Sequence, residues 1–167
     1  MLTVITAATK FTLIDTATAR SALGFTDNSE DVALNAYIAR ASDVLARQCK
    51  RVFAKETVEE TFRLDRCQQE IVLARYPVSS ITSIVENGTT LATTDYEADL
   101  DKGIITRLYG DRPCHWSTWK IVIAYVAGYE LPTETPEALK QAAVQLVKAY
   151  HIGGDRDPLV SSETTDN

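Results

Sequence analysis

The chain reads as an α+β protein, on three observations. Residues 31 to about 51 repeat apolar side chains at helical spacing. Several short stretches between 57 and 126 alternate with the two-residue period of strands and are cut by Gly, Asn and Pro. A second amphipathic helix opens at Pro136. At 167 residues with 45% hydrophobic content, the chain is long enough and apolar enough to bury a core.

Residues 1–14 read as an extended lead-in. Asp15 then offers a side-chain cap for a short helix ending at Leu23, and Gly24 supplies the left-handed stop. Asp27 and Glu30 stand at capping-box spacing before the long helix. There Leu34, Tyr37, Ile38, Ala41, Val44, Leu45 and Val52 form an apolar stripe, with Arg40, Asp43, Arg47 and Lys50 on the other side. A helix of about 22 residues would span ~33 Å.

Beyond Lys55 the period changes. Val58, Glu60, Phe62 and Leu64 alternate with Thr57, Glu59, Thr61 and Arg63, as along a half-exposed strand. Ile71, Val72 and Leu73 make a short apolar run, and Pro77 bars Tyr76 from a helix. Residues 81–86 form another strand, turned by Asn87-Gly88, the strongest short hairpin signal. Strands at 104–108 and 121–126 complete a small sheet, antiparallel because the connections are too short for crossover helices. Residues 109–118 read as a loop. Thr135-Pro136-Glu137 is a cap, a first-turn proline and a first-turn acid. Leu139, Ala142, Ala143, Leu146, Val147 and Tyr150 then share one face, and Gly153-Gly154 ends the helix. The polar remainder lacks the apolar surface to order itself.

Charge narrows the function. A net charge of −6 argues against a broad phosphate-binding surface, which is built from Lys and Arg. Cys49, Cys67 and Cys114 make an odd, scattered set, as expected of reduced thiols in a cytoplasm rather than a disulfide framework. The first ten residues lack the pattern of a signal peptide, and no apolar run approaches the ~18 residues of a membrane span. A soluble protein is expected.

The candidate chemistry is thin. Cys114-His115 pairs a thiol with an imidazole, yet a zinc site needs about four ligands, and His151 and two distant cysteines alone remain to complete it. A Cys–His nucleophile needs an orienting group that the sequence does not locate. Asp95, Glu97, Asp99 and Asp101 suggest calcium but lack the loop's glycine and terminal Glu, so a solvated turn is the better reading. Asn87-Gly88-Thr89 matches a glycosylation sequon and reads as the hairpin turn. The basic residues Arg40, Arg47, Lys50 and Arg51 lack an aromatic stacking platform, which favours a solvated face or one pairing with a neighbouring subunit. Trp116 and Trp119 fit sheet packing and an interface equally well. No catalytic residue, metal or cofactor is expected.

The order of segments resembles a known family. The short helix ending Ala22-Leu23-Gly24 and the long helix carrying Ile38-Ala-Arg-Ala-Ser-Asp-Val-Leu45 make its first half. The second comprises Leu73-Ala-Arg-Tyr-Pro77-Val-Ser-Ser-Ile81, Tyr96-Glu-Ala-Asp99, Gly103-Ile104, Val122 to Tyr129 and Pro136-Glu-Ala-Leu-Lys-Gln-Ala142. Over residues 12 to 152 this looks like the head–tail connector, or adaptor, family of tailed bacteriophages, prophages and gene transfer agents. Ile152-Gly-Gly-Asp-Arg-Asp-Pro158 departs from the family's usual helix-ending Arg-Glu segment.

The resemblance implies a small helical bundle with a small inserted antiparallel sheet. It gives one domain over 1–152, a β-rich insert at about 56–127 and a flexible tail at 153–167. It further implies a non-enzymatic ring, typically of twelve copies, under the portal protein at the virion neck. Such a ring docks the next connector or tail component while DNA passes through the lumen without specific binding. A stopper or tail terminator is the neighbouring alternative, and a small enzyme using Cys114-His115 the distant one. A polar tail ordering on a neighbour adds Asp155, Arg156 and Asp157 to the candidate interface.

Overall fold

A computed structural model describes residues 1–116 and 120–154. The chain divides into two compact units: residues 1–10 with 51–130, and residues 11–50 with the chain from 131 on.

The described residues of the first unit form nine strands: β1 (Leu2–Thr6), β2 (Glu56–Phe62), β3 (Glu70–Val72), β4 (Val78–Glu86), β5 (Thr89–Thr90), β6 (Tyr96–Asp99), β7 (Ile104–Tyr109), β8 (Arg112–Pro113) and β9 (Ile121–Ala127). They form two antiparallel sheets. One runs β1-β2-β9-β4-β5; the other runs β3-β7-β6, with β8 on β7. This overturns the expected small helical bundle with a small inserted sheet. Among the described residues the protein is a mixed α+β fold with two sheets, of five and four strands, and three helices. Length of sheet is set by long-range pairing, and the 1–14 lead-in hides a strand. Leu2 faces Glu60 and Val4 faces Val58, a partnership no local pattern announces.

β9 shows why the sheets close. Ile121, Ile123, Tyr125 and Ala127 are buried while the residues between them are half-exposed, the period-two signature of a central strand. These side chains join Val58, Ile84, Ile71 and Ile105 in one core drawn from both sheets. The β4–β5 turn is the expected hairpin: Asn87 and Gly88 both take left-handed backbone, φ 49° and 80°. Gly128 ends β9 at φ 102°, where a Cβ would sit 2.4 Å from the Ala54 carbonyl oxygen.

The second unit holds α1 (Thr16–Leu23), α2 (Asp31–Gln48) and α3 (Glu137–Gly154). Asp15 accepts a hydrogen bond from the Thr18 N–H at 2.7 Å, and Gly24 closes α1 at φ 79°. Leu34, Ile38 and Ala41 of α2 are buried, as are Ala143 and Val147 of α3. Each large apolar side chain so buried contributes about 1.5–3 kcal/mol. α2 stops at Gln48, short of residue 51, because Lys50 turns to φ 51°. The Asp27–Glu30 capping box does not form: the Asp27 carboxylate instead accepts from the Ser29 N–H and hydroxyl, and Glu30 makes no side-chain cap. Arg20 holds the start of α2 in its place, donating to both Asp31 oxygens with a closest approach of 2.6 Å.

Candidate assembly surfaces and the polar interior

The basic candidates do not make one patch. Arg40, Arg47 and Lys50 belong to the helical unit, while Arg51 belongs to the β unit. Arg40 lies over the Tyr150 ring at 4.5 Å, so its charge is engaged with α3. Arg47 pairs with Asp43 one turn back, at 2.8 Å and largely in solvent. Arg51 stacks on the Tyr76 and Phe53 rings at 4.1 and 5.5 Å and donates to the Tyr76 carbonyl. Lys50 is exposed beyond the end of α2.

Trp116 is 2% exposed within the β core, with the Arg107 guanidinium 5.9 Å from its ring. Trp119, Asp155, Arg156 and Asp157 lie outside the described residues, as does most of the expected tail; Gly153 and Gly154 close α3. Asp99 takes the Lys102 N–H and ammonium into the β6–β7 turn, at 3.0 and 2.8 Å. Those hydrogen bonds hold its carboxyl below the usual carboxylate range. Asp95 accepts from the Ala92 N–H at 3.2 Å within a 3-10 turn. These acids are turn-formers. Among the described residues no cluster of three His, Cys, Asp or Glu is placed to hold a metal.

Cys114 and His115 lie in the β unit, half-exposed and exposed, and the Cys114 N–H donates to the Arg107 carbonyl. His151 belongs to the other unit, edge-on to Phe25 at 5.3 Å. Cys49 and Cys67 are exposed, one in each unit.

What the residue-by-residue reading missed is an acidic interior. Glu56, Glu60 and Glu86 are buried at 7–8% exposure. Glu60 accepts from the Tyr125 hydroxyl and the Ala74 N–H, both at 3.0 Å on one oxygen. The Tyr125 oxygen in turn accepts from the Arg75 N–H at 3.3 Å. Burial first, and the Glu60 charge second, push the Tyr125 hydroxyl well above its ordinary value, so it stays a donor. Arg107 meets Glu86 at 3.1 Å and also donates to the Asp95 and Leu108 carbonyls. Arg75 stands 3.9 Å from Glu56. The signal was present in β2: Glu60 shares the Val58 side of the alternation, which is the buried side. Glu60, Tyr125, Glu86 and Arg107 bind strands to one another, while Glu56 Oε2 and Arg75 Nε face each other at 3.9 Å without a hydrogen bond.

A sequence profile for head completion proteins matches residues 12–157. No curated protein sequence matches the chain. Among solved structures, a chain of the neck of an empty gene transfer agent particle, with C6 symmetry, is 22% identical at a TM-score of 0.61. That match covers 98% of this chain and 89% of its own. A chain from the neck of the native particle, with C12 symmetry, is 19% identical at 0.60, covering 100% and 87%. One from the virion of the native particle is 21% identical at 0.62, covering 98% and 89%. At these identities the likeness concerns the fold. The resemblance to head–tail connectors read from the segment order is borne out, and the profile match settles kinship: this chain belongs to the head completion protein family.

Proposed function

We propose that the protein is a non-enzymatic structural subunit of the virion neck, joining the filled head to the tail. The observation that carries this reading is the family match over nearly the whole chain, in a fold that neck chains of gene transfer agents share almost end to end. Copies sit as a ring, twelve being the expected number, beneath the portal protein. The ring continues the DNA channel and offers its far face to the next connector or tail component. The neck of the native particle, with C12 symmetry, supports a ring of that order.

The physics fits that role. Head-to-tail contacts that close by rotation make rings. A net charge of −6 suits a lumen along which DNA slides, since phosphates meet no cationic trap. The acidic interior holds the β unit in one register, which a scaffold piece requires.

Negative-stain imaging of the purified protein mixed with the portal protein of the same virion tests the reading. A coaxial ring on the portal is the expected result. A virion lacking this subunit that still joins filled heads to tails would overturn it.

A further inference from the structure

The five-stranded sheet has two open edges, and they match. On one side β1 pairs with β2 alone. On the other, β4 pairs with β9 along its length, while β5 covers just Val85 and Glu86, and the Leu91 N–H takes the Ile84 carbonyl at 2.8 Å. Residues 78–83 keep their second edge, apart from the Val78 N–H on the Leu100 carbonyl at 2.7 Å. Among the described residues of the β unit, β9 and β5 alone pair with β4. Ser79, Ser80 and Thr82 are exposed accordingly, and so are Val4 at 41% and Ile5 at 60%.

Neither edge carries a charged or proline guard. Proteins blunt free edges with charge or proline to stop strand addition. β1 reads Leu-Thr-Val-Ile-Thr, and residues 78–83 read Val-Ser-Ser-Ile-Thr-Ser, with no charge and no proline in either. The outer strand β6 of the second sheet, by contrast, carries Glu97 and Asp99. Irregularities at Ile5 in β1 and at Ser79 and Thr82 in β4 bend both edges without supplying a partner.

Direction completes the match. β1, β2, β9 and β4 alternate, so β1 and β4 run opposite ways. Placing β1 of one copy beside β4 of the next, with the sheets facing alike, therefore makes an antiparallel pair like the others in the sheet. Because the two edges differ, the contact repeats from copy to copy and closes under rotation; a β1-to-β1 contact would stop at a two-fold dimer. We propose that β1 of one copy adds to the 78–83 edge of β4 in the next copy, so that the five-stranded sheet continues around the assembly. The proposal rests on the ring reading above and names its interface.

Disulfide trapping tests it on the full chain, with Cys49, Cys67 and Cys114 replaced by Ser. Thr3→Cys is combined with Ser80→Cys or Thr82→Cys, and the protein is oxidised alone at high concentration and on the portal protein. Within one copy, three strand spacings separate β1 from β4, about 14 Å, beyond the ~7 Å reach of a disulfide. A ladder of covalent multimers in one of the pairs is the expected result. Ile5→Lys and Thr82→Lys, both at exposed positions, should each lower ring yield on the portal at least tenfold with an unchanged melting temperature. Rings at wild-type yield in both lysine variants, with no ladder from either pair, would place the interface elsewhere and leave the ring reading intact. Quantitative dimer from Thr3→Cys alone would overturn the proposal in favour of a two-fold contact. A wild-type chain that forms no ring on the portal would overturn the ring reading, and this proposal with it.

Discussion

The two units bury opposite kinds of interior. In the β unit three carboxylates sit at 7–8% exposure among apolar side chains, bound to Tyr125, Ala74 and Arg107 or facing Arg75. In the helical unit the described buried polar side chains are Ser42 and Thr135, both uncharged. Ser42 accepts from the Leu13 N–H at 3.0 Å and donates to the Ile38 carbonyl at 2.8 Å, a local tie across a seam of Leu, Ile, Ala and Val. The difference follows from geometry. Helices meet through packing, and a near-miss in packing costs a fraction of the contact. Strands fail by slipping, and one residue of slip turns every side chain to the wrong face. A buried carboxylate with one set of donors makes that slip costly.

Substitutions in the two units test the contrast. The largest effect is expected from Arg107→Ala, which takes the guanidinium from the buried Glu86 and from two carbonyls. A loss of about 3–5 kcal/mol in denaturant unfolding is expected. A loss below ~1 kcal/mol would erase the distinction between the units. Leu34→Ala, in the apolar seam, is expected to cost about 3 kcal/mol through lost burial and the cavity left behind. Its unfolding midpoint should move alike in low and high salt, and a strong salt dependence would break the comparison from the other side.

Tyr125→Phe keeps the ring and removes the hydroxyl. The expected cost is about 1–3 kcal/mol, since Glu60 then keeps the Ala74 N–H and loses its other donor while still buried. A neutral result would mean that water replaces the hydroxyl. The smallest effect sharpens the helical side. Asp15→Ala should cost about 1 kcal/mol by uncapping α1. The Thr18 side chain and N–H hold the Asp15 carboxyl below its ordinary value. Its contribution is therefore complete above the unfolded-state pKa and fades as pH falls through the lower folded value. Wild type and Asp15→Ala should converge in stability in strong acid; a gap that persists there would assign the cap to another group.

Much of the local structure was legible. α1 runs between its expected cap and stop, because Asp15 and Gly24 act within a few residues of themselves. Asn87-Gly88 turns the hairpin it announces, and β9 alternates as its Ile, Val and Tyr suggest. The misses lie where a residue's role depends on a distant partner. β1 is a strand because β2 stands beside it, more than fifty residues along the chain. Trp116, which the sequence leaves open between packing and an interface, is buried in a core drawn from both sheets. Asp27 spends its carboxylate on the Ser29 N–H and hydroxyl, two residues away, a competition that spacing rules do not weigh.

By itself the amino-acid order determined the helices, the hairpin, the acidic net charge and the kinship with head–tail connectors. Each of these is written in neighbouring residues, overall composition or segment order. The tertiary structure alone decided how much of the chain is sheet, which carboxylates are buried and which strand edges stay open. Those properties belong to pairs of strands, and a pair is specified when both partners meet in space.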